Sequence, residues 1–247
     1  YADGDGTITL ILVGILSVIC SSQFALQISN WLATLIVHPK QLPRMNFSSG
    51  IPQEFRTMVV VPSMLVNKEQ TQKLVEELEV RFLANRDENL FFALLTDFKD
   101  APEQHMAGDK ELMDLAKTGI LELNRKYGRV RNDTFFLFHR QRQWNKKEKV
   151  WMGWERKRGK LEALNSLLRG KNTDEFLLVV GEQLVYTTVK YVITLDADTQ
   201  LPRETAWKLA GIMAHPLNHP VYNAKKNIVV DGYGIIQPRI AISLHGT

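Results

Sequence analysis

The chain has 247 residues, 45% of them apolar, enough to bury one full core with a short appendage. Its formal charge of +4 comes from interspersed Lys and Arg and gives no ground for nucleic-acid binding. A single cysteine, Cys20, rules out an intrachain disulfide, and the six histidines lack the H-x-x-x-H or H-E-x-x-H spacing of a zinc site.

The first forty residues stand apart. No Asp, Glu, Lys or Arg occurs between Asp5 and Lys40. Ile8 to about Leu26 is close to the ~20 apolar residues that cross a bilayer. Ser21-Ser-Gln23 interrupts the run, and Phe24, Ile28, Trp31, Leu32 and Leu35 then recur at helical spacing. This predicts a membrane helix over residues 1–40 whose second part is a tilted continuation or an interfacial helix. A buried helical hairpin is the alternative. No basic region precedes the apolar run, which argues against a secretory signal peptide. Lys40, Arg44 and Arg56 follow the segment, whereas Asp3 and Asp5 precede it. The positive-inside rule therefore places everything after residue 40 in the cytoplasm. Asp3-Gly-Asp5-Gly-Thr-Ile lacks the first carboxylate and the final bidentate Glu of a calcium loop, and is read as chance.

From residue 41 to 247 the pattern is α/β. Thr57 to Val61 reads as a buried strand ended by Pro62-Ser63, and Leu74, Val75, Leu78 and Phe82 as one helix face. Leu90 to Thr96 is a second strand closing on Asp97. Leu112, Ala116, Ile120, Leu123 and Tyr127 mark a helix, and Thr134 to Phe138 a third strand. A polar, aromatic-studded loop lies between His139 and Trp154. Within the dense basic run Glu155 to Lys160 a solvated face is the ordinary reading. Lys160 to Arg169 reads as helix, Val189 to Leu195 as strand, and Glu204 to His215 as helix. Alternating strands and helices predict a mostly parallel sheet covered on both faces.

The chemistry concentrates in Tyr191-Val-Ile-Thr-Leu-Asp196-Ala-Asp198-Thr-Gln-Leu-Pro202-Arg203. A strand running into two carboxylates places them at its carboxyl end, where open α/β sheets bind ligands. Two hard oxygen donors there suit Mg²⁺ or Mn²⁺, which takes its other ligands from water and substrate phosphate. The same tripeptide also serves as an ordinary turn or helix cap. Pro62 and Asp97 end neighbouring strands on the same edge, and a carboxylate there can accept from uracil N–H or ribose hydroxyls. Lys160 can neutralise a diphosphate, and Asn165 can orient a sugar or a loop. Singly, Asp97 also fits a turn and Lys160 a solvated cation. A phosphate loop is absent: Gly159-Lys160 is followed by Leu161 where a hydroxyl is needed.

Several long runs carry a resemblance. They are Phe138-His-Arg-x-Arg142-x-Trp144-Asn145, Trp151-Met-Gly-Trp-Glu-Arg-Lys-Arg-Gly-Lys160-Leu-Glu-x-Leu-Asn165, the Tyr191 to Arg203 stretch, Met213-Ala-His-Pro-Leu-Asn218 and Gly232-Tyr-Gly-Ile-Ile-Gln-Pro-Arg239. From about His38 onward the chain resembles the glycosyltransferase region of bacterial cyclic β-1,2-glucan synthases, which are enzymes of the inner membrane. The resemblance implies a GT-A fold, UDP-glucose as donor, Mg²⁺ or Mn²⁺ as cofactor, inversion at the anomeric carbon and a growing β-1,2-glucan chain as product. Further modules of the same polypeptide would cyclise it. Asp196 and Asp198 carry over as the metal-binding pair. By looser analogy with processive synthases such as cellulose synthase, Pro62 and Asp97 hold uridine, Lys160 meets the diphosphate, and Gln237 and Arg239 lie near the acceptor.

The family pattern also needs a carboxylate base to deprotonate the attacking 2-hydroxyl. It is expected beyond the strand carrying Gln237-Pro-Arg239, past Thr247, so the chain reads as the donor half of a site, inactive by itself. No Q-x-x-R-W motif is present; Gln141-Arg-Gln-Trp144 has the wrong order. Two rival readings are a noncatalytic, membrane-tethered nucleotide- or glycan-binding module and a soluble nucleotidyltransferase. The second needs a Gly-rich loop after the first strand, and Pro62-Ser-Met-Leu-Val-Asn67 has no glycine.

Overall fold

A computed structural model describes residues 3–37, 41–127, 134–171 and 175–238. Contacts divide the chain into two units, Tyr1–Leu42 and Pro43–Thr247. The first is one helix, α1 (Asp3–Ile36). It runs unbroken through Ser21-Ser-Gln23, where the apolar run is interrupted, so the second part continues the same helix. The cause is local: Ser22 Oγ donates to the Ile19 carbonyl at 2.8 Å, and Thr34 Oγ1 to the Asn30 carbonyl at 2.6 Å. Hydroxyls satisfied on their own helix cost little in an apolar run. Gly6–Ile36 spans 31 residues, long and apolar enough to cross a membrane. At 1.5 Å per residue that is about 46 Å, more than the ~30 Å hydrocarbon core.

The second unit follows the alternating pattern. β1 (Thr57–Leu65) leads into α2 (Lys68–Ala84), whose N-cap Asn67 accepts from the Gln70 amide at 2.8 Å. β2 (Leu90–Phe98), α3 (Asp109–Tyr127) and β3 (Phe135–Arg140) come next. The expected aromatic loop is a small hairpin of β4 (Gln143–Asn145) and β5 (Val150–Met152). α4 (Arg156–Leu168), β6 (Phe176–Val180), the short α5 (Gln183–Tyr186), β7 (Tyr191–Thr194) and α6 (Thr205–Ala214) complete the layers. A second hairpin, β8 (Val221–Asn223) and β9 (Ile228–Asp231), lies on the surface. Residues 235–238 are irregular, so Gln237 does not sit in the strand expected for it.

The main sheet among the described residues has the order β6-β3-β2-β1-β7. β1, β2, β3 and β7 are mutually parallel, and β6 is antiparallel to β3. The chain steps outward from β1 to β3, then returns to β7 on the other side of β1. That reversal is a topological switch point between β1 and β7, and crevices for ligands open at the carboxyl ends there.

Period-two alternation fills both faces. Val59, Val61, Phe92, Leu94, Phe135 and Leu137 meet α2, α3 and α6 through Leu78, Phe82, Ile120 and Ala210. Met58, Val60, Phe91, Leu95, Phe136 and Phe138 meet α4 and α5 through Leu164, Val185 and Tyr186. Each fully buried Phe contributes roughly 1.5–3 kcal/mol by leaving water. The fold is therefore the α/β sheet with helices on both faces that the periodicity predicted, preceded by an apolar helix.

Candidate functional site

Pro62 does not end β1. The strand continues to Leu65, and Pro62 is buried opposite Leu95. Val60 turns its carbonyl toward β7 and accepts from the Leu195 amide at 3.0 Å. Two residues on, Pro62 faces the same side, where a donor is missing. β7 has already parted there, since its last pair is Val60 with Thr194. The proline thus closes the β1–β7 ladder and opens the switch point.

Beside it lies a buried ionic cluster. Asp97, the second-last residue of β2, is 3% exposed and takes Arg140 in a two-pronged grip, Nε to Oδ1 at 3.0 Å and Nη2 to Oδ2 at 3.1 Å. Lys160 Nζ is 3.1 Å from Asp97 Oδ2 and donates to the Ser63 carbonyl at 2.5 Å. Burial lowers the Lys160 pKa from its usual value, and the charge and hydrogen bond of Asp97 oppose that shift. One carboxylate therefore serves two cations, and carbonyl oxygens of Ser63, Trp154 and Arg156 complete their bonding. Lys160, in the second turn of α4, ties that helix to the end of β1.

The approach to this cluster is tight. Glu155 and Arg156 both have positive φ, 50° and 46°, which turns the Trp154 and Arg156 carbonyls onto Arg140 Nη2, each at 3.1 Å. A Cβ on Gly153 would stand 2.3 Å from Asp97 Oδ2 and 2.5 Å from Cγ. Asp97 has no room to swing, because Arg140 and Lys160 hold it. We expect Gly153→Ala to cost about 1–3 kcal/mol, read as a lower urea midpoint at an unchanged slope.

The two aspartates of the D-x-D run are differently placed. Asp196 and Asp198 are both exposed, just past the end of β7. Lys157, in the first turn of α4, makes an ion pair with Asp196. Behind the loop, Arg81 of α2 is 4% exposed and donates to the carbonyls of Ala197 and Thr199. One turn on, Asn85 donates to the Leu201 and Pro202 carbonyls at 3.2 and 3.1 Å and accepts from the Ala206 amide at 3.0 Å.

Among the described residues no group of three or more His, Cys, Asp or Glu side chains could hold a metal ion. The donor set is two exposed carboxylates, which fits a hard cation that keeps water and takes phosphate oxygens, and does not fit a site closed by protein alone. The remaining candidates lie apart. Asn165 is exposed and, five residues along α4, stands roughly 140° around the helix from Lys160. Gln237 is exposed, and Arg239 lies outside the described residues.

No protein-family model matches the chain. Over 224 residues, 91% of its length, it is 42% identical to the cyclic beta-(1,2)-glucan synthase NdvB of Rhizobium meliloti (strain 1021). The chain is a relative of one segment of that synthase. It spans 8% of the relative's length. The resemblance carried by the long motifs is borne out.

Much of what makes the synthase-like motifs long is scaffolding. Arg142 is 4% exposed and binds both carboxylate oxygens of Asp109 and the carbonyls of Lys99 and Gln104. Asn218 donates to the Pro43 and Ile212 carbonyls at 2.7 and 2.8 Å. Arg140 belongs to the buried cluster. The sequence reading missed Arg140, Lys157, Arg81 and Asn85. Arg81 and Asn85 look like ordinary polar residues near a helix end until the loop after β7 is seen packed against them. Lys157 was hidden in a basic run that reads as a solvated face.

Proposed function

We propose that this chain is the donor-binding part of an inverting, UDP-glucose-dependent β-1,2-glucosyltransferase with a GT-A fold, acting within a longer cyclic glucan synthase. The observation that carries the reading is the pair Asp196 and Asp198, exposed at the carboxyl end of β7 beside the switch point, in a chain 42% identical to a synthase segment. Asp196 and Asp198 would hold Mg²⁺ or Mn²⁺, with Asp198 the more available because Lys157 engages Asp196. When bound, the cation would offset negative charge developing on the departing diphosphate.

The chain's own residues divide the remaining work. Lys157 is half exposed and already reaches the D-x-D pair, so it offers a cation to the diphosphate once the donor competes for Asp196. Lys160 and Asp97 form the floor beneath, and with Pro62 they bound the uridine end. Asn165, Gln237 and Arg239 are assigned outward, toward sugar and glucan acceptor. α1 anchors the polypeptide in the inner membrane, with the residues after it on the cytoplasmic side.

The test is UDP-glucose binding to the full chain in mild detergent, with Mn²⁺ and with EDTA, for wild type and Asp198→Asn. We expect metal-dependent binding that weakens at least about tenfold in the variant while circular dichroism is unchanged. Folded wild type that binds equally well in EDTA would sink the metal-assisted reading.

A further inference from the structure

The loop after β7 has few bonds of its own. Within it the Thr199 amide donates to the Asp196 carbonyl at 3.0 Å, closing a turn over the D-x-D tripeptide. Besides the Lys157–Asp196 ion pair to α4, its main ties run to one face of α2. Arg81 Nη2 reaches the Ala197 carbonyl at 2.5 Å and the Thr199 carbonyl at 3.0 Å, and Nε reaches Thr199 again at 3.1 Å. Asp198 lies between those two carbonyls in the chain, and its side chain is exposed. Arg81 itself is buried, with Glu77 one turn back at 3.7 Å and with Nη1 lacking a hydrogen-bond partner among the described residues. Burying a guanidinium is expensive, and a fork that spends its bonds on two alternate carbonyls fixes the 197–198 peptide plane just before Asp198 and the 199–200 plane one residue beyond it.

We infer that Arg81 is a positioning residue for the D-x-D carboxylates: by gripping the Ala197 and Thr199 carbonyls it holds the loop in the one conformation that presents Asp196 and Asp198 together to a cation and diphosphate. This rests on the donor-site reading above. Arg81 is too deeply buried to serve as a ligand itself, and its contribution is preorganisation. A loop without the grip must be ordered by the ligand at the moment of binding, and that cost appears as lost affinity. Lysine at the same place keeps the charge but offers a single point donor, which cannot hold two carbonyls at fixed angles.

The experiment uses the full chain in mild detergent and compares wild type with Arg81→Lys by two measurements. The first is amide exchange of the peptide covering 195–202 without any ligand. The second is UDP-glucose affinity with Mn²⁺ and with EDTA. We expect faster exchange in the variant, and a metal-dependent gain in affinity cut by about tenfold, with affinity in EDTA within a factor of two of wild type. A merely structural loss would lower affinity in both conditions alike, and that result would overturn the proposal. So would a folded variant with unchanged exchange and an unchanged metal-dependent gain. Should lysine prevent folding, Arg81→Met, which removes the buried charge and keeps the stem, is read by the same two measurements. A wild type with no metal-dependent binding overturns the donor reading and this role with it. The exchange measurement, which needs no donor, tells that failure from a failure of the grip.

Discussion

Asp97→Asn is expected to lower the unfolding free energy by about 3–5 kcal/mol, the cost of leaving buried charges unpaired. Asparagine keeps the shape and one acceptor, so the loss isolates the charge. Arg140 and Lys160 would remain 3% exposed, packed together with no anion between them. Glu175 also approaches Arg140, at 4.0 Å, but it is half exposed, so it screens little. The sign with pH follows from Lys160. Its folded pKa already lies below the ordinary 10.5 because of burial, and Asp97 is what opposes that shift. Without Asp97 the folded value falls further, and between it and 10.5 the unfolded chain binds more protons. Stability of the variant therefore rises with pH across that window, and the gap to wild type narrows in alkaline buffer. Urea unfolding of both proteins in detergent, from neutral pH to about 10, measures it. A variant within about 1 kcal/mol of wild type at neutral pH would show that the cluster is solvated in solution.

That cluster also marks how far the sequence could be read. Strand and helix positions were legible because β1, β2 and β3 are short continuous apolar runs, as in a parallel sheet buried on both faces, and apolar residues recur at helical spacing in α2 and α3. The ends were not. β1 outran Pro62 because a proline breaks only the ladder on its own side, and which side that is depends on the neighbour. β6, as apolar as β7, was passed over; it is a five-residue edge strand whose antiparallel pairing with β3 is set by tertiary contact and not by its own pattern. At the site, Asp196 and Asp198 were legible as a motif after a strand. Their support was not, since Arg81 and Asn85 lie more than a hundred residues upstream and meet the loop only through its backbone carbonyls, which leave no mark on the sequence. Asp97 and Lys160 were both named as candidate site residues, Asp97 at a strand end and Lys160 at the start of a helix. That they grip each other and Arg140 inside the fold is a matter of depth, which spacing does not encode.

His139 should make the fold acid-sensitive in a defined window. It is 2% exposed at the second-last position of β3. Thr96 Oγ1 donates to the Phe138 carbonyl at 3.2 Å, so at 3.0 Å from His139 Nδ1 the same oxygen accepts. That assigns the proton to Nδ1 and leaves Nε2 as a buried lone pair without a partner among the described residues. Protonating it would bury an N–H⁺ with nothing to receive it. Burial accordingly pushes the pKa from 6.5 down to about 4; among the charges, Asp97 and Asp109 favour the proton and Lys160 and Arg142 oppose it. Since the folded value is depressed, the unfolded chain binds the proton first as pH falls. Stability is full above about 6.5, is lost progressively down to about 4, and changes no further from this group below that. At 1.36 kcal/mol per unit the loss reaches about 3 kcal/mol. His139→Asn keeps a donor toward Thr96 and cannot titrate. Its urea stability, plotted against pH between 7 and 4, should lack that component, so the difference from wild type shrinks by about 3 kcal/mol across the window. Parallel curves would mean that His139 is charged inside the fold or that Nε2 finds a partner on protonation.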